Sequence, residues 1–305
     1  MNKLFKTIIK ILLISLLVLL ISFITIHCWY LPRYINNRKT IELNENTDGI
    51  RIMNSNVRYF NLKDKFKKSL FYRTELIRND IDEIKPDIIG FQEFTWLHHN
   101  YFKKVLVGYD SVLTYRDNSL FSESCPIFYR KDKFDLIDKG SFWLSETPDV
   151  KSKDWGSSWY RICSYVVLKE KKTNKEFVIF NTHFDHRSDE ARINSINLII
   201  EKAKEFKDIP MILMGDLNAK ENSKTIKEAY KYFSDASKIA INNLQKDEFD
   251  ATYHNWGNQS KYKRVDYFMV SKNEIVVNTY DVLDKTYEGI YSSDHFPIYI
   301  DIKLK

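Results

Sequence analysis

Met211-Ile212-Leu213-Met214-Gly215-Asp216-Leu217-Asn218 is the stretch on which the reading of this chain turns. Its four leading apolar residues have the length and composition of a buried strand. Asp216 and Asn218 follow at i and i+2, so in extended chain both side chains leave the same face. A carboxylate and an amide projected together from the mouth of a sheet can ligate a hard cation, or fix a phosphate and its attacking water. Near the C-terminus, Ser293-Asp294-His295-Phe296-Pro297 forms a Ser-rich turn before an expected last strand over residues 297–302. A histidine there, titrating near neutrality, suits a general base. Either stretch alone says little; together they point to phosphoester hydrolysis.

Four more strand-like runs carry a ligand-capable residue at one end. Arg51-Ile52-Met53-Asn54-Ser55-Asn56 ends in an amide, and Asp87-Ile88-Ile89-Gly90-Phe91-Gln92-Glu93 ends in Gln-Glu. Phe177-Val178-Ile179-Phe180-Asn181-Thr182-His183 ends in a histidine, while Arg264-Val265-Asp266-Tyr267-Phe268-Met269-Val270 carries an acid at its start. Strand ends are where α/β proteins assemble their sites. The ordered set Asn56, Gln92-Glu93, Asn181-Thr182-His183, Gly215-Asp216-Leu217-Asn218, Arg264-Val265-Asp266-Tyr267 and Ser293-Asp294-His295 resembles the endonuclease/exonuclease/phosphatase superfamily, with the fold of pancreatic-type deoxyribonuclease. The resemblance covers residues 49–305. Periodicity alone supports mixed α/β; the resemblance implies a four-layer α/β/β/α sandwich.

The resemblance also implies roles. Glu93 is the principal Mg²⁺ ligand, Mn²⁺ being the substitute, with Asn56 and Asp294 in support; Mg²⁺ prefers oxygen donors and keeps several waters, so one or two carboxylates suffice. His295 is the base on water, with Asp266 holding its tautomer. His183 donates to the phosphate, and Asp216 and Asn218 orient the water and a phosphate oxygen. Arg58, Arg161, His186 and His254 are substrate-binding candidates, each set against a surface or salt-bridge role. His98 and His99 read as surface residues of a helix. Nuclease, phospholipase and phosphatase share these residues, because the common chemistry stops at phosphorus; specificity is expected from residues 143–161 and 247–263. The competing classes are an endonuclease acting on DNA or RNA and a catalytically inactive tethered binding module.

Charge bears on the partner. Lys3, Lys6, Lys10, Arg33, Arg38 and Lys39 fall in the first 40 residues, where no acid occurs, so the formal +6 of the chain belongs to that segment. The balanced remainder lacks the broad basic face of a salt-sensitive nucleic-acid binder. A monomer is expected. Residues 11–26 are apolar apart from Ser15, Ser22 and Thr25, roughly enough, with residues 7–10, to cross a hydrocarbon core of ~30 Å. Basic residues in front also fit a cleavable signal. However, Ile26-His27-Cys28-Trp29-Tyr30 offers no small-residue cleavage site, and Trp29 and Tyr30 suit an interfacial anchor. The expectation is a single-pass anchor over residues 1–30, a polar linker over 31–48 and a catalytic domain over 49–305 outside the cytoplasm, with secretion after cleavage as the alternative. Arg33, Arg38 and Lys39 weigh against that orientation.

Helices are expected over residues 69–84, 96–106 and 189–207, and a hairpin joins residues 162–168 to 177–181. Cys125 and Cys163 read as small buried hydrophobes rather than a disulfide pair, and no cysteine or histidine spacing suggests zinc.

Overall fold

Period-two alternation within the apolar runs sorts the chain into layers. The computed structural model describes residues 3–43, 49–206, 209–245 and 251–305. In chain order the elements are α1 (Lys3–Phe23), α2 (Leu31–Asn36), β1 (Ile50–Asn56), α3 (Leu70–Ile84), β2 (Ile88–Gln92), α4 (Trp96–Val105), β3 (Tyr109–Val112), β4 (Ile127–Arg130) and β5 (Phe134–Trp143). Then come β6 (Ile162–Glu170), β7 (Glu176–His183), α5 (Asp189–Ala203), β8 (Met211–Asp216), α6 (Lys224–Tyr232), β9 (Phe233–Asp235), α7 (Ala236–Ile239) and β10 (Asn242–Asn243). The chain closes with β11 (Asp266–Ser271), β12 (Ile275–Val282) and β13 (Ile298–Leu304).

One sheet has the order β10-β12-β13-β1-β2-β4-β3 and the other β5-β6-β7-β8-β11-β9. Ile52, Ile88, Ile179, Ile212, Phe268 and Ile300 point between the sheets into one core. Their neighbours point outward: Met53 and Ile89 meet α3 and α4 through Ile77, Ile81 and Phe102, and Leu213 and Met269 meet α5 and α6 through Ile196, Ile199 and Ile226. Full burial of each such side chain contributes about 1.5–3 kcal/mol. The result is the four-layer α/β/β/α sandwich. The expected hairpin is β6–β7, antiparallel, and the three expected helices are α3, α4 and α5. Residue 207, the expected end of α5, lies outside the described residues.

A short polar seam crosses the apolar middle. Gln92 Nε2 donates to Asn54 Oδ1 and Asn181 Oδ1, both at 2.7 Å. Asn181 Nδ2 returns bonds to the carbonyls of Phe91 (2.9 Å) and Pro126 (2.8 Å). Gly215 sits where β7 and β8 run closest: φ is +152°, and a Cβ would lie 2.1 Å from Thr182 O, so no other residue fits.

The segment read as a linker is structured in its first part. Tyr34 of α2 is buried, its ring 5.3 Å from Phe71 and its hydroxyl donating to Leu97 O at 2.6 Å. Ile41 N donates to Val105 O at 3.1 Å, which ties the following chain to the end of α4. Three aromatic and aliphatic side chains (Tyr30, Tyr34, Ile41) make this docking possible, and the polar residues between them hid it. Residues 44–48 lie outside the described residues. Helix α1 and the π-type turn after it, Lys3–Cys28, give 26 residues long and apolar enough to cross a membrane or to serve as a signal sequence, and α1 buries none of its residues in the protein.

His98 is not on the surface. Its Nδ1 accepts from Thr95 N at 3.1 Å, completing the cap of α4, and its ring stacks on Phe94 at 5.4 Å. Cys125 and Cys163 are buried free thiols.

Replacing Asn181 with Ala removes the side-chain donor to the carbonyl of Phe91 and half of the seam, while the Pro126 carbonyl keeps Phe91 N at 3.2 Å. Asn181→Ala is expected to lower stability by about 2–4 kcal/mol, read as a drop in urea midpoint at unchanged m-value.

Candidate active site

The register of the strands gathers the polar ends at one edge. Asn56 pairs with Gln92 across parallel β1 and β2, and His183 with Asp216 across parallel β7 and β8. Asp216 faces Asp266 across antiparallel β8 and β11. The chain then turns sharply at Glu93 (φ 56°), Arg58 (φ 54°) and Asn218 (φ 47°), each in the left-handed region and each at the rim of the cleft. The cleft encloses about 780 Å³ and is lined by Arg58, Glu93, Arg161, His183, His186, Asp216, Asn218, Asp294 and His295.

At its floor, Asn56 Nδ2 donates to Glu93 Oε1 (3.2 Å) and Asp216 Oδ2 (3.1 Å), while its oxygen accepts from Arg58 N at 3.0 Å. That backbone donor fixes the amide orientation. Asn56 thus turns its nitrogen, not an oxygen, toward the carboxylates: it positions Glu93 and Asp216 rather than offering a cation ligand. Glu93 Oε2 accepts from Tyr59 N at 3.0 Å. Asp216 Oδ1 accepts from Asn218 N at 2.9 Å, and Asn218 Nδ2 donates to Phe184 O at 3.1 Å.

His295 Nδ1 lies 2.8 Å from Asp266 Oδ2, and its Nε2 lies 3.8 Å from Asp216 Oδ2. His183 Nε2 approaches the same Asp216 oxygen at 3.5 Å. Burial alone would lower the proton affinity of His295, but the carboxylates of Asp266, Asp216 and Asp294 push its pKa up to about 10. Burial, then Asp266, raises Asp216 to about 7. His183 goes the other way: burial and the Arg161 and Arg116 guanidinium groups hold it well below the usual histidine range, so it is neutral. Three carboxylates outweigh burial at His295, whereas at His183 burial, with Arg161 and Arg116, outweighs the nearby Asp216 and Glu123.

The carboxylates suit a hard cation by the chemistry of the donor set. Glu93, Asp216 and Asp294 supply oxygens only, and ligand atoms of Asp216, Asp266 and His295 lie within 4.8 Å of one another. Asp266 Oδ1 is buried without a hydrogen-bond partner among the described residues. Arg58 now balances this charge, with Nη1 at 3.4 Å from Asp294 and Nε at 3.0 Å from Asp64.

Two expected substrate residues behave differently. Arg161 is buried at the cleft wall, 4.0 Å from Glu123, and its side chain makes no hydrogen bond among the described residues. His254 is outside the cleft: it is fully buried, stacks on Phe296 at 4.0 Å, and its Nδ1 accepts from Gly257 N at 3.1 Å. Burial holds it neutral, at about 3. His186 is exposed at the rim.

Several lining residues escape a reading of motifs. Glu123 and Arg116 pair at 2.8 Å beside His183, and Tyr59, Phe60, Lys63, Phe121, Trp159, Arg187, Tyr253 and Lys263 complete the walls. Trp159 and Arg161 come from residues 143–161, and Tyr253 and Lys263 from residues 247–263, the two segments expected to set specificity; residues 247–250 lie outside the described residues. Arg73 is fully buried under the rim, donating to the carbonyls of Lys68, Val57, Ser292 and Arg58 at 2.8–3.1 Å.

This fold and this edge define the class. The chain belongs to the Endonuclease/Exonuclease/phosphatase family, whose family model matches residues 53–295, and so stands among hydrolases that act on phosphoester bonds. It is similar to a solved endonuclease/exonuclease/phosphatase from Bacteroides vulgatus, at 31% identity and TM-score 0.77, covering 85% of this chain and 100% of that one. A mannosyl-6-phosphatase from Bacteroides thetaiotaomicron is similar at 33% identity and TM-score 0.76, covering 84% and 100%. An uncharacterized protein of Acanthamoeba polyphaga mimivirus is 36% identical over 156 residues, 48% of this chain and 58% of that one. The chain spans between 19% and 58% of the length of the curated relatives it matches.

Because His254 packs rather than lines, His254→Phe is expected to cost about 1 kcal/mol, the worth of its one hydrogen bond, and to leave turnover within about threefold. Thermal melts and steady-state kinetics on the same preparation check both.

Proposed function

We propose that this chain is a divalent-cation-dependent phosphoester hydrolase, Mg²⁺ being the natural ion and Mn²⁺ a working substitute. The observation that carries the reading is Arg161: a buried guanidinium whose Nε has no hydrogen-bond acceptor among the described residues and whose Nη1 reaches Glu123 only at 4.0 Å, on the same wall as neutral His183 and Glu93. Leaving such a donor unpaired is costly unless an anion completes it. A phosphoryl oxygen has the charge and the acceptors to do so. The mannosyl-6-phosphatase relative adds support for a phosphate monoester or small phosphodiester.

Glu93, Asp294 and Asp216 would hold the cation, which supplies positive charge to offset theirs and to polarise the phosphate. His295 keeps its Nδ1 proton on Asp266, so Nε2 is the atom that takes a proton from water. Nε2 is free to do so once the charge of Asp216 and Asp294 is offset, since those carboxylates help to hold its pKa up. Asp216, locked by Asn56 and Asn218, orients that water. His183 donates an N–H to a phosphoryl oxygen, and Arg161 and Arg58 meet the charge that grows there in the transition state.

Bis-p-nitrophenyl phosphate and p-nitrophenyl phosphate, offered to the detergent-solubilised chain with Mg²⁺ or Mn²⁺, test this. Turnover should vanish with EDTA and return with metal. His295→Ala and His183→Ala should each reduce kcat by at least ~10²-fold, and Glu93→Gln should mainly raise the metal concentration required. Full turnover by His295→Ala would remove it as the base. Plasmid or RNA cleavage that collapses with salt would favour the nuclease reading, for which Lys63, Arg187 and Lys263 stand at the cleft mouth.

We further propose that Lys3–Cys28 remains as a single-pass anchor with the hydrolase outside the cytoplasm. The apolar length, the Lys3, Lys6 and Lys10 tail and the missing cleavage site support it. Protease added to intact spheroplasts should degrade the body; protection until the membrane is ruptured would reverse the orientation.

A further inference from the structure

Between β1 and α3 the chain runs Leu62-Lys63-Asp64-Lys65-Phe66-Lys67-Lys68. Leu62 and Phe66 are 55% and 53% exposed, and all four lysines are exposed. The single acid, Asp64, is buried against Arg58. The solvated face of the segment is therefore apolar and cationic, with no anionic group. Large apolar side chains set among lysines gain nothing in water. At an anionic lipid surface the same pattern is favourable, since the apolar groups enter the headgroup layer and the lysines meet its charge.

The position of the segment agrees with its chemistry. At the foot of the candidate membrane helix, the His27 ring lies 6.4 Å from Phe60. Tyr30 lies 4.7 Å from Tyr72, and Lys67 Nζ stands 5.7 Å from that same Tyr72 ring. On the other side Phe60 stacks on Phe121 at 5.2 Å, and the neighbouring Leu120 is 73% exposed. Phe60, Lys63 and Phe121 also line the cleft. One apolar, cationic band thus runs from the foot of the helix to the mouth of the cleft.

We infer that this band seats in the lipid headgroup layer and that the cleft takes its substrate from the bilayer, an anionic lipid phosphoester. This rests on the hydrolase and anchor readings above. Water oxygen joins phosphorus as the bond from phosphorus to the lipid oxygen breaks, and that oxygen takes up a proton. Phosphatidic acid and water would give diacylglycerol, which stays in the membrane, and inorganic phosphate, which leaves through solvent.

The test uses the full chain in phosphatidylcholine vesicles carrying phosphatidic acid, a monoester, and phosphatidylglycerol, a diester. Lipid products are read by mass spectrometry beside turnover of bis-p-nitrophenyl phosphate. Leu62 and Leu120 are exposed and make no part of the cleft wall. The Leu62→Glu/Leu120→Glu variant should therefore keep soluble turnover within about twofold while losing at least ~10-fold on vesicle lipid. Unchanged lipid turnover in that variant overturns the docking surface. Soluble turnover without lipid turnover overturns the substrate class and leaves the hydrolase reading standing. No turnover of either, with Mg²⁺ or Mn²⁺ present, removes the hydrolase reading and this inference with it. Cleavage of single-stranded RNA in place of lipid, weakened by Lys63→Glu and Lys67→Glu, reassigns the band to nucleic acid.

Discussion

Gln92 donating to Asn54 within its own sheet and across the gap to Asn181 of the other sheet is the contact on which the site depends. Apolar side chains between two sheets permit sliding; hydrogen bonds in a dry layer do not, because a shifted register leaves each partner unpaired. From those three residues the site follows by counting. Two positions beyond Asn54 is Asn56, one beyond Gln92 is Glu93, and two beyond Asn181 is His183. The seam therefore fixes where one sheet's carboxylate stands relative to the other sheet's histidine.

Much of this was legible in the sequence, for an identifiable reason. The candidate site residues sit at the ends of strands whose apolar runs are unmistakable, so Asp216, Asp266, His183 and Glu93 announce themselves by position. The layers follow from alternation, as Ile52 and Met53, or Ile212 and Leu213, show by facing opposite cores. What stayed hidden arises where no periodicity exists. Glu123 and Arg116 stand in the irregular stretch between β3 and β4, and only the tertiary fold brings them to His183 and Arg161. His254 misleads for the converse reason: a histidine in a loop looks available, yet Phe296 and Tyr291 enclose it. Residue type alone suggests a ligand at Asn56, whereas the contact it makes depends on which end of the amide faces the acids, and the Arg58 backbone decides that.

Electrostatically the cleft is divided. Around His295 lie Asp216, Asp266 and Asp294; around His183 lie Arg116 and Arg161. A half rich in carboxylates stores a proton and calls for a cation, and a half rich in guanidinium calls for an anion. On the function proposed above, a phosphate bound with a metal ion would answer both demands at once.

Strand β13 lies between β12 and β1, inside its sheet rather than at an edge, and the turn before it supplies Asp294 and His295. Its partners on β1 are some 250 residues earlier in sequence, a separation that makes this pairing slow and dependent on prior order elsewhere. During synthesis, β1 must wait with one edge open until residues 293–304 emerge. The turn that carries Asp294 and His295 is therefore set in the same step that closes the sheet.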